Sequence, residues 1–146
     1  MIIKLRTMLF LALLTFAQVS VAASPNLTVT NAWVRASAPG QSVGAAYLTL
    51  KSNQDLILVK VSTVAAEYAE IHSMSMTSGI MKMRMLPQLE LKSGKTYQLT
   101  PGQVHVMLFK IKQVFKVGDK VMLTLTLKNT SNQIVHFNVN AVVKES

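Results

Sequence analysis

A single all-β domain, either a sandwich or a small barrel, is the fold class this sequence predicts, and three observations predict it. Short segments rich in β-branched, aromatic and alternating apolar residues recur along the chain. Turn signals such as Pro39-Gly40, Ser78-Gly79 and Pro101-Gly102 separate them at regular intervals. No segment sustains a 3.6-residue apolar period long enough to require a helix. Eight or so strands with spaced turns, in one domain of this size, fit a sandwich or barrel.

In chain order, Leu27–Val34 reads as extended, and the loop ASAPGQS leads to the strand at Gly44–Leu50. Leu56–Val64 and Tyr68–Met76 follow, and Ser78-Gly79 has the composition of a hairpin connection into IMKMRML, which Pro87 closes. The second half gives KTYQLT, then VHVMLFKI, then VMLTLTLKN after the turn KVGDK, and a last strand at Ile134–Val143. There are no internal repeats and no low-complexity tract.

Residues 1–23 stand apart. A basic head with Lys4 and Arg6, an apolar run from Met8 to about Phe16, and small residues at Ser20, Ala22 and Ala23 form the three-part pattern of a secretory signal peptide. The uninterrupted apolar run is shorter than the roughly 20 residues a bilayer requires. The expected organisation is a cleaved leader over 1–23 and one exported domain over 24–146, with no membrane span after cleavage. The sequence contains no cysteine, so disulfides, thiolate ligands and lipidation of an N-terminal cysteine are excluded from that expectation.

The chain of 146 residues has 15 Lys and Arg against 6 Asp and Glu, for a formal charge of +9. The basic residues are spread singly, and aromatic residues are too few for a base-stacking platform, so nucleic acid is excluded as a partner. A positive surface of this kind suits an acidic protein or an anionic membrane face. Enzyme chemistry finds no footing either. There is no cysteine nucleophile, no carboxylate pair at a useful spacing, no triad pattern around Ser73 or Ser75, and no glycine-rich phosphate loop.

Methionine is the compositional anomaly. Five of the nine fall between Met74 and Met85, beside His72. One methionine is readily explained as an adaptable core filler; a cluster this dense is not, because leucine and β-branched residues fill strands better. Alternation places His72, Met74 and Met76 on one side of their strand, Met81, Met83 and Met85 on one side of the next, and His105, Met107 and Phe109 on one side of a third. Three strands can thus present imidazole and thioether donors to one point. Thioether sulfur is soft and neutral, and selects Cu(I) or Ag(I) over zinc, calcium or magnesium. Hard cations want a cluster of oxygens that is absent here, and a blue-copper centre needs a thiolate. His136 is expected to be a surface histidine and Met122 a core residue. Met74 and Met76 are spare thioethers or lining, while Met81 and Met85 shield the site.

The spacing of His72, Met83, His105 and Met107, with ten, twenty-one and one intervening residues, resembles that of the periplasmic copper chaperone family called PCu(A)C. AWVRASAPG, GAAYLTL, AEIH, GIMKMR and PGQVHVMLF are similar to the family as well. The resemblance implies a cupredoxin-like β-sandwich closed as a Greek-key barrel. It implies one Cu(I) per chain, held by His72, Met83, His105 and Met107. It also implies a monomeric, non-enzymatic chaperone that delivers copper to the CuA centre of cytochrome c oxidase, alone or with a Sco-type partner. A copper buffer or resistance protein without a dedicated acceptor, and a metal-free interaction module, are the alternatives. The histidine- and methionine-rich tail that some members carry is not found in AVVKES.

Overall fold

In the computed structural model, residues 25–145 are described, so the expected leader over 1–23 lies outside them. Ten strands form: β1 (Leu27–Arg35), β2 (Val43–Ser52), β3 (Leu56–Ser62), β4 (Ala66–Thr77), β5 (Ile80–Leu86), β6 (Leu89–Leu91), β7 (Thr96–Leu99), β8 (His105–Ile111), β9 (Lys120–Asn129) and β10 (Ile134–Lys144). Among the described residues no helix is long and apolar enough to cross a membrane.

The strands pair in the order β5-β4-β8-β2-β1-β10-β9-β3-β6, with β7 pairing the second half of β2. All pairings are antiparallel except β1 with β10. The sheet folds over on itself, bringing β3 against β4 and β2 against β6 without pairing them. The enclosed core is built by alternation. On β9, Val121, Leu123, Leu125 and Leu127 point inward, and they meet Leu48, Leu50, Leu56, Leu58, Leu108 and Val143, all nearly inaccessible to solvent. Gly44 also faces this core, where a Cβ would stand 3.2 Å from the Phe115 ring, so a larger residue would push the ring off β2.

The expectation of a closed Greek-key barrel is overturned. The fold is all-β and cupredoxin-like, but the path has two free ends, β5 and β6, which do not pair with each other. Closure needs a continuous ladder of backbone bonds around the circumference. β6 has only three residues after Pro87, and β5 carries exposed side chains on both faces from Ile80 to Met85. At three residues, β6 is too short to seal against the seven-residue β5.

Two further differences have local causes. β6 went unread because three residues cannot establish an alternation. Met122, expected in the core, is 47 % exposed, because it alternates with buried Val121 and Leu123 and so lies on the outer face opposite Asn140. The hairpin at Ser78-Gly79 forms as expected. Both residues have positive φ (53° and 76°), giving the two-residue turn whose twist matches its strands.

Outside the core, Asp55 ties the β3 start to the loop before β7. Its carboxylate accepts the Ser93 N–H at 2.8 Å and faces the Lys92 ammonium at 3.4 Å. The Ser93 N–H, with help from Lys92, holds this carboxyl below its ordinary range. The associated stability is therefore present above a pH of about 4 and lost as pH falls through the lower folded value.

Two outcomes are expected. Leu125→Ala should destabilise the fold by about 2–5 kcal/mol in urea denaturation, as for other fully buried leucines. Asp55→Ala should lower the thermal midpoint at neutral pH, and the difference from wild type should shrink in strong acid.

Candidate metal centre

The site grows out of cross-strand register. In the β4–β8 ladder His72 lies directly opposite His105, Glu70 opposite Met107 and Tyr68 opposite Phe109. In the β4–β5 ladder His72 lies opposite Met85, Met74 opposite Met83 and Met76 opposite Met81. On the far side of β8, Met107 pairs with Ala45 of β2, two residues before Tyr47. Directly opposed residues share a face, and so do alternate residues on one strand. All the histidines and methionines singled out on these three strands therefore stand on one face, opposite the face that carries Ile71, Val106 and Leu108 into the core.

An open cleft of about 300 Å³ is cut into this face. Met83, His105 and Met107 line it, together with Met74, Arg35, Gln41, Tyr47 and the Pro101-Gly102 turn. Three of the four expected ligands thus share one cleft. The fourth, His72, stands beside it, with its ring centre 6.3 Å from that of His105 and 6.0 Å from that of Phe109.

The two imidazoles differ in what holds them. His105 is 4 % exposed, and its Nδ1 lies 2.9 Å from the Gln103 carbonyl oxygen. A carbonyl only accepts, so Nδ1 carries the hydrogen and Nε2 of the neutral ring keeps a free lone pair. His72 Nε2 lies 2.7 Å from the Glu70 carboxylate, which is likewise an acceptor, so Nε2–H donates. Nδ1 of His72 is then the nitrogen with a lone pair, and it is buried without a hydrogen-bond partner. A buried polar atom left unpaired is costly and calls for an explanation.

Around these donors the charge is low. Tyr47 is nearly buried beneath Trp33, whose ring centre is 4.3 Å away, and Arg35 stands 5.8 Å over its ring. Burial pushes the Tyr47 phenol up, and the Arg35 guanidinium offsets this in part, so the hydroxyl stays neutral at ordinary pH. Among the described residues, no three His, Cys, Asp or Glu side chains converge as a metal site would require. Any ion held here must therefore draw on thioethers, and the donor set present suits a soft monovalent ion and not a hard divalent one.

Met83 is 47 % exposed and Met85 55 %, so the β5 side of the site is open to solvent. Met74 reaches the cleft, Met85 does not line it, and Met76 and Met81 lie farther toward the hairpin tip. His136 is a surface residue near the Thr126 hydroxyl, 3.2 Å away, as expected. Glu70, Tyr47, Arg35 and the Gln103 carbonyl were missed from sequence. Glu70 was within reach of the same alternation that grouped His72 with Met74, since it sits two residues before His72.

Residues 27–139 match the family model described as "Putative lipoprotein LpqE-like". A curated relative, "Putative lipoprotein Lxx21020" of Leifsonia xyli subsp. xyli, is 26% identical over 108 residues; the match takes in 73% of this chain and only 65% of the relative's length. The solution structure of apo-DR1885 from Deinococcus radiodurans is 30% identical with a TM-score of 0.60, covering 98% of this chain and 97% of that one. Its Cu(I) form is 32% identical with a TM-score of 0.57, covering 89% and 83%. The copper-bound PCuAC domain from PmoF2 shares the fold at 18% identity, with a TM-score of 0.64 over 82% of this chain and 93% of that domain. The chain belongs to the LpqE-like family, and its fold matches that of the PCuAC domains of PmoF1 and PmoF2 and of DR1885.

Proposed function

We propose that this chain is a periplasmic metallochaperone that takes one Cu(I) as cargo on His72, Met83, His105 and Met107 and passes it to another protein. The observation that carries the reading is the β4–β8 register, which sets His72 opposite His105 while Met83 and Met107 share the adjoining cleft. The kinship with DR1885, whose structure was solved with Cu(I), supports the choice of ion.

The chemistry follows from the donors. Two imidazoles and two thioethers are uncharged, so a monovalent ion brings a single positive charge into a partly apolar setting, where a divalent ion would bring two. His105 is prepared, since Gln103 fixes its tautomer and leaves Nε2 as the donor. His72 must rearrange. Its Nε2 is engaged by Glu70 and its Nδ1 is buried, so loading requires either that Glu70 release the ring or that the ring expose its other nitrogen. That step couples capture to a rearrangement of the His72 and Glu70 side chains, while the exposed Met83 is the donor an incoming protein's ligand can displace first. Release is therefore built as ligand exchange, with the acceptor binding the ion before the last chaperone donor leaves.

The leader pattern over residues 1–23 supports export, and with it a periplasmic setting for this exchange. The acceptor in this reading is the CuA site of cytochrome c oxidase, reached directly or with a Sco-type partner. The positive charge of the chain favours an acidic docking surface on that acceptor.

The test mixes the Cu(I)-loaded protein with a soluble CuA domain, separates the two, and measures copper on each. Copper should move to the CuA domain; full retention would assign the protein to buffering instead. In parallel, Met83→Leu should keep the fold and weaken Cu(I) retention against a competing chelator by about tenfold or more, since even the outer partners of metal ligands carry effects of that size. An unchanged dissociation constant would remove Met83 from the ligand set.

A further inference from the structure

The cleft accounts for only part of the methionine cluster. Beyond His72 the β4–β5 hairpin runs past the start of β8: Met74 N donates to the Gln103 carbonyl at 3.3 Å, and β8 begins at His105. From Met76 to Met81 the hairpin is only two strands wide. Its methionines there cannot be core fillers, because Met76 is 66 % exposed and Met81 48 %.

The pattern on the hairpin is amphipathic in an unusual sense. One face carries the directly opposed pairs Met74–Met83 and Met76–Met81, and the other carries Ser73, Ser75, Lys82 and Arg84. Exposing a run of apolar side chains on a free hairpin gains nothing in stability and invites aggregation. Thioethers differ from leucine in having a soft lone pair. Directly opposed residues bring their Cβ atoms to about 5 Å, and the flexible methionine side chain lets sulfurs from such a pair and the next step along meet at one point. No carboxylate, histidine or cysteine occurs between Ser73 and Met85, and the nitrogens of Lys82 and Arg84 are cationic, so hard and borderline ions find only hydroxyl groups among the oxygen and nitrogen side-chain donors of this segment. Lys82 and Arg84 add positive charge that penalises a divalent ion more than a monovalent one.

We propose that Met74, Met76 and Met81 form a second, all-thioether site for a soft monovalent cation, Cu(I) or Ag(I), at the tip of the β4–β5 hairpin. This site lies outside the set of His72, Met83, His105 and Met107 on which the proposed function rests. Met74 both belongs to the tip set and lines the cleft, so it joins the two: an ion taken at the exposed tip has a continuous row of thioethers leading through Met74 and Met83 toward His105 and Met107.

The test titrates the purified protein with silver nitrate in chloride-free buffer and follows the methionine methyl resonances by NMR. Ag(I) is chosen because it is soft, monovalent and does not change oxidation state under these conditions. Uptake of two equivalents is expected, one moving the methyls of Met83 and Met107 and the other those of Met74, Met76 and Met81. The Met76→Leu/Met81→Leu double variant keeps side-chain volume and should reduce uptake to one equivalent while the Met83 and Met107 shifts persist. Saturation at one equivalent with the tip methyls unmoved would overturn the proposal, as would a double variant that still takes two. Movement of the tip methyls alone, with Met83 and Met107 silent, would support the tip site while removing the cleft reading, so the two fail separately.

Discussion

The antiparallel ladder between β4 and β8 is the constraint on which the rest depends. It sets His72 opposite His105 and Glu70 opposite Met107, and its register is fixed by Ile71 and Val106, which are opposed on the buried face. A slip of one residue would turn every donor inward and every core side chain outward. The hydrophobic core is thus what aligns the donors. Leu108 and Val106 hold β8 in place, and the polar face receives its geometry as a consequence. The neighbouring ladders extend the same face to Met83 on one side and to Tyr47 on the other.

The donor face is prepared to unequal degrees. His105 is buried, its tautomer is set by the Gln103 carbonyl, and Tyr47 stands beside it with ring centres 6.4 Å apart. Met83 is half exposed on a strand with no buried face. His72 lies between these extremes, held by Glu70 through one nitrogen and leaving the other unpaired. A rigid donor at the inner end and loose donors at the outer end suit the proposed role of releasing an ion as well as holding it. The same openness follows from the free β5 edge, which leaves its methionines accessible to solvent.

Much of this was legible in the sequence, and for definite reasons. Alternation grouped the histidines and methionines of each strand correctly, and the composition of Ser78-Gly79 located the hairpin that pairs Met74 with Met83. Alternation within a strand says nothing about which strands are neighbours or how they are aligned. The facing of His72 and His105 therefore came from the spacing's resemblance to a known family, and the alignment itself only from the structure. The open ends of the sheet were invisible for a similar reason. Closure depends on whether β5 and β6 can reach each other, and β6 is too short to declare itself. Met122 shows the limit of hydropathy: a flexible apolar residue within a strand of leucines was expected inside, yet its parity puts it outside. Glu70 was overlooked because one acidic residue on an exposed strand has many explanations until its distance to His72 is known.

The central claim is that two ring nitrogens and two thioether sulfurs converge on a single monovalent copper ion. X-ray absorption on the protein loaded with one equivalent of Cu(I) reads that donor set directly. A mixed shell with nitrogen and sulfur scatterers in equal number is expected. A shell of sulfur alone, or one with nitrogen and oxygen only, would contradict it.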